Sequence, residues 1–587
     1  MSNIYDKASL VLIPSGTKTS KVYSQKPVNG DGDFTFSRST AATRVNADGN
    51  IEKETQNLLL QSNSFPTASW DVSSVTLTGS QSGYDGSSDA WKLESNVTNA
   101  HIFQNISTSG VSTFSVYAKA GNASWIRLRY DNASTTDVNL WCNLTDGSLG
   151  VDNGVSSYTE NIGGGWYRIV VQANTNDLNN LRIYPATSNG VNANAGDNIY
   201  IQDAQLEQGL VARDYIETTT AAVEGGITDN LPRLDYTDSS CPALLLEPQR
   251  TNLFDHSEYL DAWIKSNISL TSNAAISPEG VQNATTIDVV SATSFASIRR
   301  NISVSANSTY TMSLFVKKET SETNYMGLGF VYSGGATDVG YVIIDSVNGT
   351  AVSADPRIDV ITNVVDFGDY WRIEATATDS GSNTSLAVYI YATLSINGTS
   401  VAVGTGSTRT IYGLQLEAGS YATSYIPCMG TSVTRTADNT IIDPSSLVGA
   451  TQGSWFFELD DLSFEVTGTS VPTNWIGYNV SNCLAIEGRA AGQTKNIYFV
   501  KEESNIVTTL ATKQISTTLK ACFVWNGTSL KCFVDGVKVY DVGGFTQPIA
   551  WGTFEFNSNG REAQQTLKQT LLFPTAITNQ EAIDLTT

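Results

Sequence analysis

Apolar and polar residues alternate with a period of two along much of the chain. In residues 113–120, TFSVYAKA, Phe114, Val116 and Ala118 face one way, and Ser115, Tyr117 and Lys119 face the other. In WYRIVVQAN, which begins at Trp166, Tyr167, Ile169 and Val171 share a face. Successive side chains of a strand point to opposite sides of its sheet, so this spacing predicts strands with one buried face. Gly, Asn and Ser turns separate the runs, which predicts antiparallel sheets.

The pattern occurs twice. Asn57-Leu58-Leu59 is echoed by Asn252-Leu253-Phe254, Trp70 by Trp263, and TFSVYAKA by TMSLFVKK at 311–318. Trp166-Tyr167-Arg168-Ile169 matches Tyr370-Trp371-Arg372-Ile373. QLEQGLVARDYIE (205–217) and QLEAGSYATSYIP (415–427) close the two copies. The offset grows from 195 at Asn57 and Asn252 to 210 at Gln205 and Gln415 while the order is kept. Small insertions therefore accumulate in the second copy, as they do where loops diverge on a common fold. Each copy is predicted to be a jelly-roll β-sandwich, the first over 53–222 and the second over 251–437.

After Arg435 the repeat ends. WFFELDDLSFEV, NIYFVKE, KACFVWNG, LKCFVDGVKVYDV and TFEFNSN read as strands of a third β-sandwich over 438–587. Asn526-Gly527 is a hairpin turn signal, and Thr578 with Glu581 fits the capping box of a short final helix. The fold class expected is all-β and multidomain, as a length of 587 residues also requires.

Composition narrows the partners. Charged residues make up 16% and the formal net charge is −23. Such a chain repels nucleic acid phosphates and anionic lipid, so neither nucleic acid binding nor membrane adhesion is expected. No stretch of about 20 apolar residues is present to span a bilayer. The opening MSNIYDKASLVLIPSG has an early Asp and no long apolar run, so no secretory signal is expected. The six cysteines, at 142, 241, 428, 483, 522 and 532, show no CxxC pair and no zinc spacing. Cys522 and Cys532 flank the Asn526-Gly527 turn, and free thiols are favoured there. The only histidines, His101 and His256, fall at unmatched places in the two copies and make poor material for a triad or a metal site.

Residues 8–51, which include FTFSRSTAATRVN, and 227–253, which include PRLDY and LLLEPQRTNL, resemble the leading module of tailed-bacteriophage virion proteins. In that family the two phrases follow closely, and a carbohydrate-binding-like jelly roll then ends in QLE and SYIP. Here residues 53–222 separate them. The first jelly roll therefore reads as an insertion into a small N-terminal β attachment module made of 1–52 and 223–250. Residues 455–587 resemble concanavalin A-like (laminin G-like) sandwiches in the hairpin FVWNGTSLKCFVDGVKV and the ending LFPTAITNQEAIDLTT. The resemblance implies a structural virion protein, a tail or head fibre, assembled in the bacterial cytoplasm and exposed on the particle. It implies a homotrimer attached to other virion proteins and displaying its sandwiches to host cell-surface glycans. A tail-associated glycan depolymerase and a purely architectural part are the alternatives.

Candidate chemistry is sparse. A glycosidase needs two carboxylates flanking one bond, whereas each closing motif supplies one, Glu207 or Glu417. Gln205, Glu207 and Tyr215, with Gln415, Glu417 and Tyr425, therefore read as structural. Leu206 packs in the core, Gln and Glu fix the last strand and its loop, and the tyrosines seal the base. Glu458 and Asp460 share a strand face and resemble part of the E-x-D-x-x-E run of concanavalin-like glycanases. The third position is Leu462 or Ser463, so the acid/base partner is missing and no enzyme is expected. Trp70, Trp263, Tyr167 and Trp371 recur in both copies and read as core. Trp125, Tyr130, Trp141, Tyr325 and Tyr332 are less tied to the repeat and are the candidates for glycan stacking; Trp141 aligns roughly with Val342. No cofactor is expected. Calcium, common in such sandwiches, is the one ion left open, but Asp48-Gly49 and Asp146-Gly147 read as turns.

Overall fold

Pairing of the alternating strands produces two facing sheets in each copy. The computed structural model describes residues 4–291, 295–320, 325–354, 358, 360–379, 381–397, 400–403, 408–449, 451–464, 471–479, 482–491, 494–504, 506–514, 518–545, 551–557 and 563–587. In the first sandwich one sheet runs in the order Ser156–Gly163, Trp166–Thr175, Gly110–Ala120, Asn198–Gln208, Ala90–Ser95, Val75–Gln81. The other runs Leu149–Asp152, Val138–Asn143, Trp125–Asn132, Leu178–Ser188, His101–Asn105, Asp71–Ser73. The second sandwich repeats both orders strand for strand, from Val360–Phe367 to Ile268–Ile276 and from Thr350–Ser353 to Ile264–Ser266. The duplication is therefore one of fold.

The inward parity is that of the sequence pattern. Phe114, Val116, Ala118, Tyr167, Ile169 and Val171 meet Ile126, Leu128 and Ile183 of the facing sheet in one core. The outward face of the central strand Gly110–Ala120 is buried as well, Ser115 and Tyr117 included. Tyr84 stacks on Tyr117 with ring centroids 3.9 Å apart, and the loop after Asn198–Gln208 folds back over the rest of that face. Gln172 and Arg168 donate to the carbonyls of Leu210 and Arg213 in this loop.

The third sandwich recruits the N-terminus. Its first sheet is built on Gln452–Ser463, Thr518–Asn526, Ser529–Val534 and Gln564–Phe573, and Leu10–Leu12 and Ala243–Leu246 both pair with Gln564–Phe573. In its second sheet Phe34–Ser37 pairs with Asn439–Ile442, which pairs with Thr553–Phe556. Leu10, Leu12, Phe34, Phe36, Leu244 and Leu246 join Trp455, Phe457 and Phe523 in a single core. Strands of the expected N-terminal module, from 1–52 and 223–250, thus pair into the third sandwich. These segments are too short to bury their apolar residues alone, and an open sheet edge supplies the missing partners.

Details of this unit follow the local chemistry. Asn526 pairs with Ser529 around a turn with Gly527 at φ 58°. Cys522 lies opposite Phe533 and Cys532 opposite Phe523, a one-residue offset that sends the two thiols into different clusters. The helix Asn579–Thr586 carries the Thr578–Glu581 capping box. Among the described residues no helix is long and apolar enough to cross a membrane.

Two buried ionic networks tie the units together. Arg38, Arg233 and Arg435 surround Asp438 and Glu247, with Arg38 Nη1 3.0 Å from Asp438 Oδ1 and Arg233 Nη1 2.7 Å from Glu247 Oε2. Arg233 Nη2 also pairs with Asp438. Between the first two sandwiches, Lys53 Nζ lies 2.8 Å from Glu258 and 2.6 Å from Glu279, and Arg213 pairs with Glu279.

Candidate functional site

The repeated closing motif forms a buried clasp in each copy. Gln205 Nε2 donates to Glu207 at 2.6 Å, and Gln205 Oε1 accepts from the Ile216 amide at 2.7 Å. Glu207 accepts from the Arg213 amide at 3.0 Å. In the second copy Gln415 donates to Glu417 at 2.8 Å and accepts from the Ile426 amide at 2.6 Å, while Glu417 accepts from the Thr423 amide at 2.9 Å. Asn57 and Asn252 bridge each clasp to the strand before it, donating to the carbonyls of Ile216 and Ile426. Tyr215 and Tyr425 bond Ser62 and Ser257 at 2.6 and 2.7 Å. Burial raises the carboxyls of Glu207 and Glu417, and the surrounding donors offset part of that. The side chains of Gln205, Glu207, Gln415 and Glu417 are thus buried and engaged with the loops that follow them.

The predicted stacking residues scatter. Tyr130 and Tyr332 are corrections: both are fully buried in the cores, where their hydroxyls donate to the carbonyls of Ser112 and Ala377 at 3.2 Å. They share parity with Leu128 and Phe330, so their rings face inward and no ligand can reach them. Trp141 lies on the outward face under Arg127, whose guanidinium sits 5.2 Å from its ring. Strand register matches Trp141 with Ile343, one residue from the expected Val342: Trp141 pairs with Arg127 as Ile343 pairs with Gly327. Trp125 is half-buried at the start of Trp125–Asn132, and Tyr325 is exposed at the start of Tyr325–Ser333.

An aromatic trough does exist, at positions the sequence reading missed. It lies on the outward face of the second sandwich, holds about 480 Å³, and is lined by Lys265, Phe295, Arg299, Tyr341, Tyr389 and Tyr391 among others. The rings of Tyr389 and Tyr391 are parallel within 4° at 5.5 Å. Tyr341 and Phe295 stand against Tyr391 at 5.9 and 5.5 Å. Arg299 donates to the Tyr389 hydroxyl at 2.9 Å. Gly329 makes the arrangement fit, since a Cβ there would lie 2.9 Å from Tyr391 Cε2 and 3.2 Å from Tyr341 Cε1. The signal was present in the sequence: Tyr389 and Tyr391 alternate with the core residues Val388, Ile390 and Ala392.

The first sandwich fills the same place. Ile183 pairs with Ile102 and Leu128 as Ile390 pairs with Ile298 and Leu328. Tyr184, Arg182, Arg127 and Arg129 therefore stand where the second copy has Tyr391, Tyr389, Gly327 and Gly329. Arg127 covers Tyr184 at 4.8 Å, and Arg182 and Arg129 both pair with Asp131. One scaffold thus carries a closed ladder of arginines and rings in one copy and an open trough in the other.

Elsewhere the catalytic candidates are engaged. Glu458 accepts from Gln569 at 2.7 Å, and Asp460 pairs with Lys568 at 2.5 Å. Burial lowers both His101 and His256, and the two lie in different sandwiches. Among the described residues no group of three or more His, Cys, Asp or Glu is placed to hold a metal ion.

No family model matches the chain, and no curated protein matches it. Several solved β-rich structures align with it. The tandem CBM22-1–CBM22-2 domains of Paenibacillus barcinonensis Xyn10C are 10% identical, with 62% of this chain and 97% of that one covered and a TM-score of 0.21. Domain 4 of AbnA, a GH43 extracellular arabinanase of Geobacillus stearothermophilus solved with arabinotriose, is 18% identical over 26% and 73%, also at 0.21. A mutant Trypanosoma rangeli sialidase displaying trans-sialidase activity is 8% identical over 87% and 92%, at 0.20. Likeness this slight says nothing about what this chain binds.

Proposed function

We propose that the chain is a non-enzymatic structural component of a bacteriophage virion, a tail or head fibre, that holds host-surface glycan on its second sandwich. The trough of Tyr341, Tyr389 and Tyr391 over Gly329 is the observation that carries the glycan reading. A pyranose presents a flat C–H face to stack on rings, and its rim of hydroxyls suits the nearby Arg299 and Lys265. Concave sites of this kind bind through apolar area and gain orientation from a few polar groups. The virion assignment rests on the phrases FTFSRSTAATRVN, PRLDY and LLLEPQRTNL. The engagement of Glu458 and Asp460 with Gln569 and Lys568 supports binding over cleavage.

The test is incubation of the purified chain with host polysaccharide, followed by size-exclusion chromatography and a glycan array. Binding with unchanged polymer length is expected. Shortening of the polymer would favour the depolymerase instead. An array without hits, together with unchanged adsorption of particles lacking the protein, would leave an architectural part. The homotrimer is checked by light scattering, where a mass near the single-chain 63.0 kDa would count against it.

A further inference from the structure

A second cleft, of about 290 Å³, lies where the second and third sandwiches meet. Asn363, Phe367 and Arg372 line it from the second sandwich; Asp461, Gln564 and Thr566 line it from the third. Asp238 joins them from the turn between Arg233–Asp235 and Ala243–Leu246. The cations at hand are already paired: Arg372 with Glu374 at 3.5 Å, Arg44 with Glu52 at 2.8 Å and Lys568, whose charge also reaches Asp238 and Asp461, with Asp460 at 2.5 Å.

The carboxyls of Asp461 and Asp238 lie within hydrogen-bond reach of each other. Two carboxyls that close stay together only when a proton or a cation is shared between them. Asp461 is held there by the strand itself. It has φ 51° and falls at the shift in pairing between Asp460 and Ser463, an irregularity of the kind that re-aims a side chain. Oxygens in the same cleft also lack donors. Thr566 Oγ1, in a residue only 5% exposed, and Gln564 Oε1 have no hydrogen-bond partner. Buried polar atoms are ordinarily satisfied, so each such atom calls for an explanation.

We infer that Asp238 and Asp461, together with Gln564 Oε1 and Thr566 Oγ1, form a site for a hard divalent cation of the calcium class. The donors are two anionic and two neutral oxygens with no sulfur or imidazole, a set that suits calcium rather than zinc or copper. Calcium accepts irregular oxygen shells completed by water, whereas magnesium demands a near-octahedral one. With two anionic ligands the affinity belongs on the order of 10⁻⁴ M. The ion would fasten the turn that carries Asp238 to the strand that carries Asp461, beside the second sandwich.

Isothermal titration of calcium chloride into the full chain, first cleared with a chelator, tests the site. One calcium per chain is expected, with magnesium about tenfold weaker. Asp461→Asn and Asp238→Asn should each weaken calcium binding at least about tenfold, and Thr566→Val should weaken it less. Asp541→Asn, on the exposed strand Val537–Val542, should leave it unchanged. Absence of binding in the unaltered chain overturns the proposal, as does a thermal midpoint that calcium does not move. Binding that survives both Asn substitutions overturns it too, because the ion would then lie elsewhere.

Discussion

Arg435 donates from Nη1 to Glu247 Oε2 at 2.6 Å across 188 positions of chain, and both side chains are sealed from solvent. Arg233 donates to the same oxygen at 2.7 Å, and Ser424 completes the carboxylate from its amide at 2.7 Å. Arg38 belongs to FTFSRSTAATR, Arg233 to PRLDY and Glu247 to LLLEPQRTNL. The phrases that mark the resemblance to virion proteins thus spell a lock between the second and third sandwiches.

Removing one member of that lock is predicted to be costly. Glu247→Gln leaves Arg38, Arg233 and Arg435 facing Asp438 alone. Breaking a buried pair in this way costs about 3–5 kcal/mol, because the orphaned charge stays buried. Thermal unfolding followed by circular dichroism should show the earliest transition shifted down. An unchanged melting profile would mean that the network adds nothing to stability.

The same carboxylate predicts acid sensitivity. Burial alone would raise the Glu247 carboxyl, but Arg435 and Arg233 outweigh it and hold it at about 2, against an ordinary 4.5. A carboxylate depressed in the folded state stabilises above its unfolded pKa and loses that contribution as pH falls through the folded one. The contribution, about 3 kcal/mol for a shift of this size, is therefore full at neutral pH and drains between 4.5 and about 2. Thermal midpoints measured down this range should fall, and Glu247→Gln should flatten that limb.

Glycan affinity is predicted to reside in the second sandwich alone. Tyr389→Ala and Tyr341→Ala should each weaken glycan binding about tenfold, the loss expected for one stacked ring, whereas Tyr391, only 5% exposed, backs those rings. Gly329→Ala should weaken it as well, because the added Cβ would lie 2.9 Å from Tyr391 Cε2 and displace the ring. Tyr184→Ala, at the matching place in the first sandwich, should leave affinity unchanged. Titration calorimetry of the four variants against one oligosaccharide decides this, and equal losses in both sandwiches would overturn it.

Local pattern set the limits of what could be read from the sequence. Alternation in residues 113–120 gave the inward face of a strand, and the matched phrases gave the duplication, because both are visible within a few residues. The same parity, applied to Leu128-Arg129-Tyr130 and to Phe330-Val331-Tyr332, would have placed both tyrosines in the core; lack of a counterpart in the other copy was the weaker guide. Applied to Val388-Tyr389-Ile390-Tyr391, it would have exposed the trough. The pairing of Leu10–Leu12 with Gln564–Phe573 had no such signal. A short apolar strand fits any open sheet edge, and only the assembled core decides which one. The Asp238–Asp461 contact was hidden for the same reason, since it depends on two distant strands arriving at one cleft.

Asp203 predicts a pH response of opposite sign in the first sandwich. It has φ 51° at the pairing shift between Val116 and Tyr117, where the second copy places Gly413 at φ 62°. Asp tolerates this left-handed conformation better than most residues, but glycine adopts it freely. The residue is 5% exposed, and its carboxyl accepts from the Tyr84 hydroxyl at 2.9 Å. Burial pushes it up from 3.8 to about 6, and Asp89 and Asp85 add to the rise while the Tyr84 hydrogen bond opposes it. A carboxyl raised on folding holds its proton more tightly in the native state, so its charged form costs stability above about 6. That cost disappears as pH falls below the unfolded value of 3.8. Asp203→Asn removes the charge while keeping an acceptor for Tyr84 and a side chain at home in the left-handed region. It should raise the thermal midpoint of the first sandwich near neutral pH and give no gain near pH 3.8. A gain of equal size at both pH values would assign the effect to the backbone, and no gain at either would mean that the buried charge is fully compensated. Acidification therefore relieves strain inside the first sandwich between about pH 6 and 3.8, largely before it opens the Glu247 lock between 4.5 and about 2, so the two units should separate in their acid melting order.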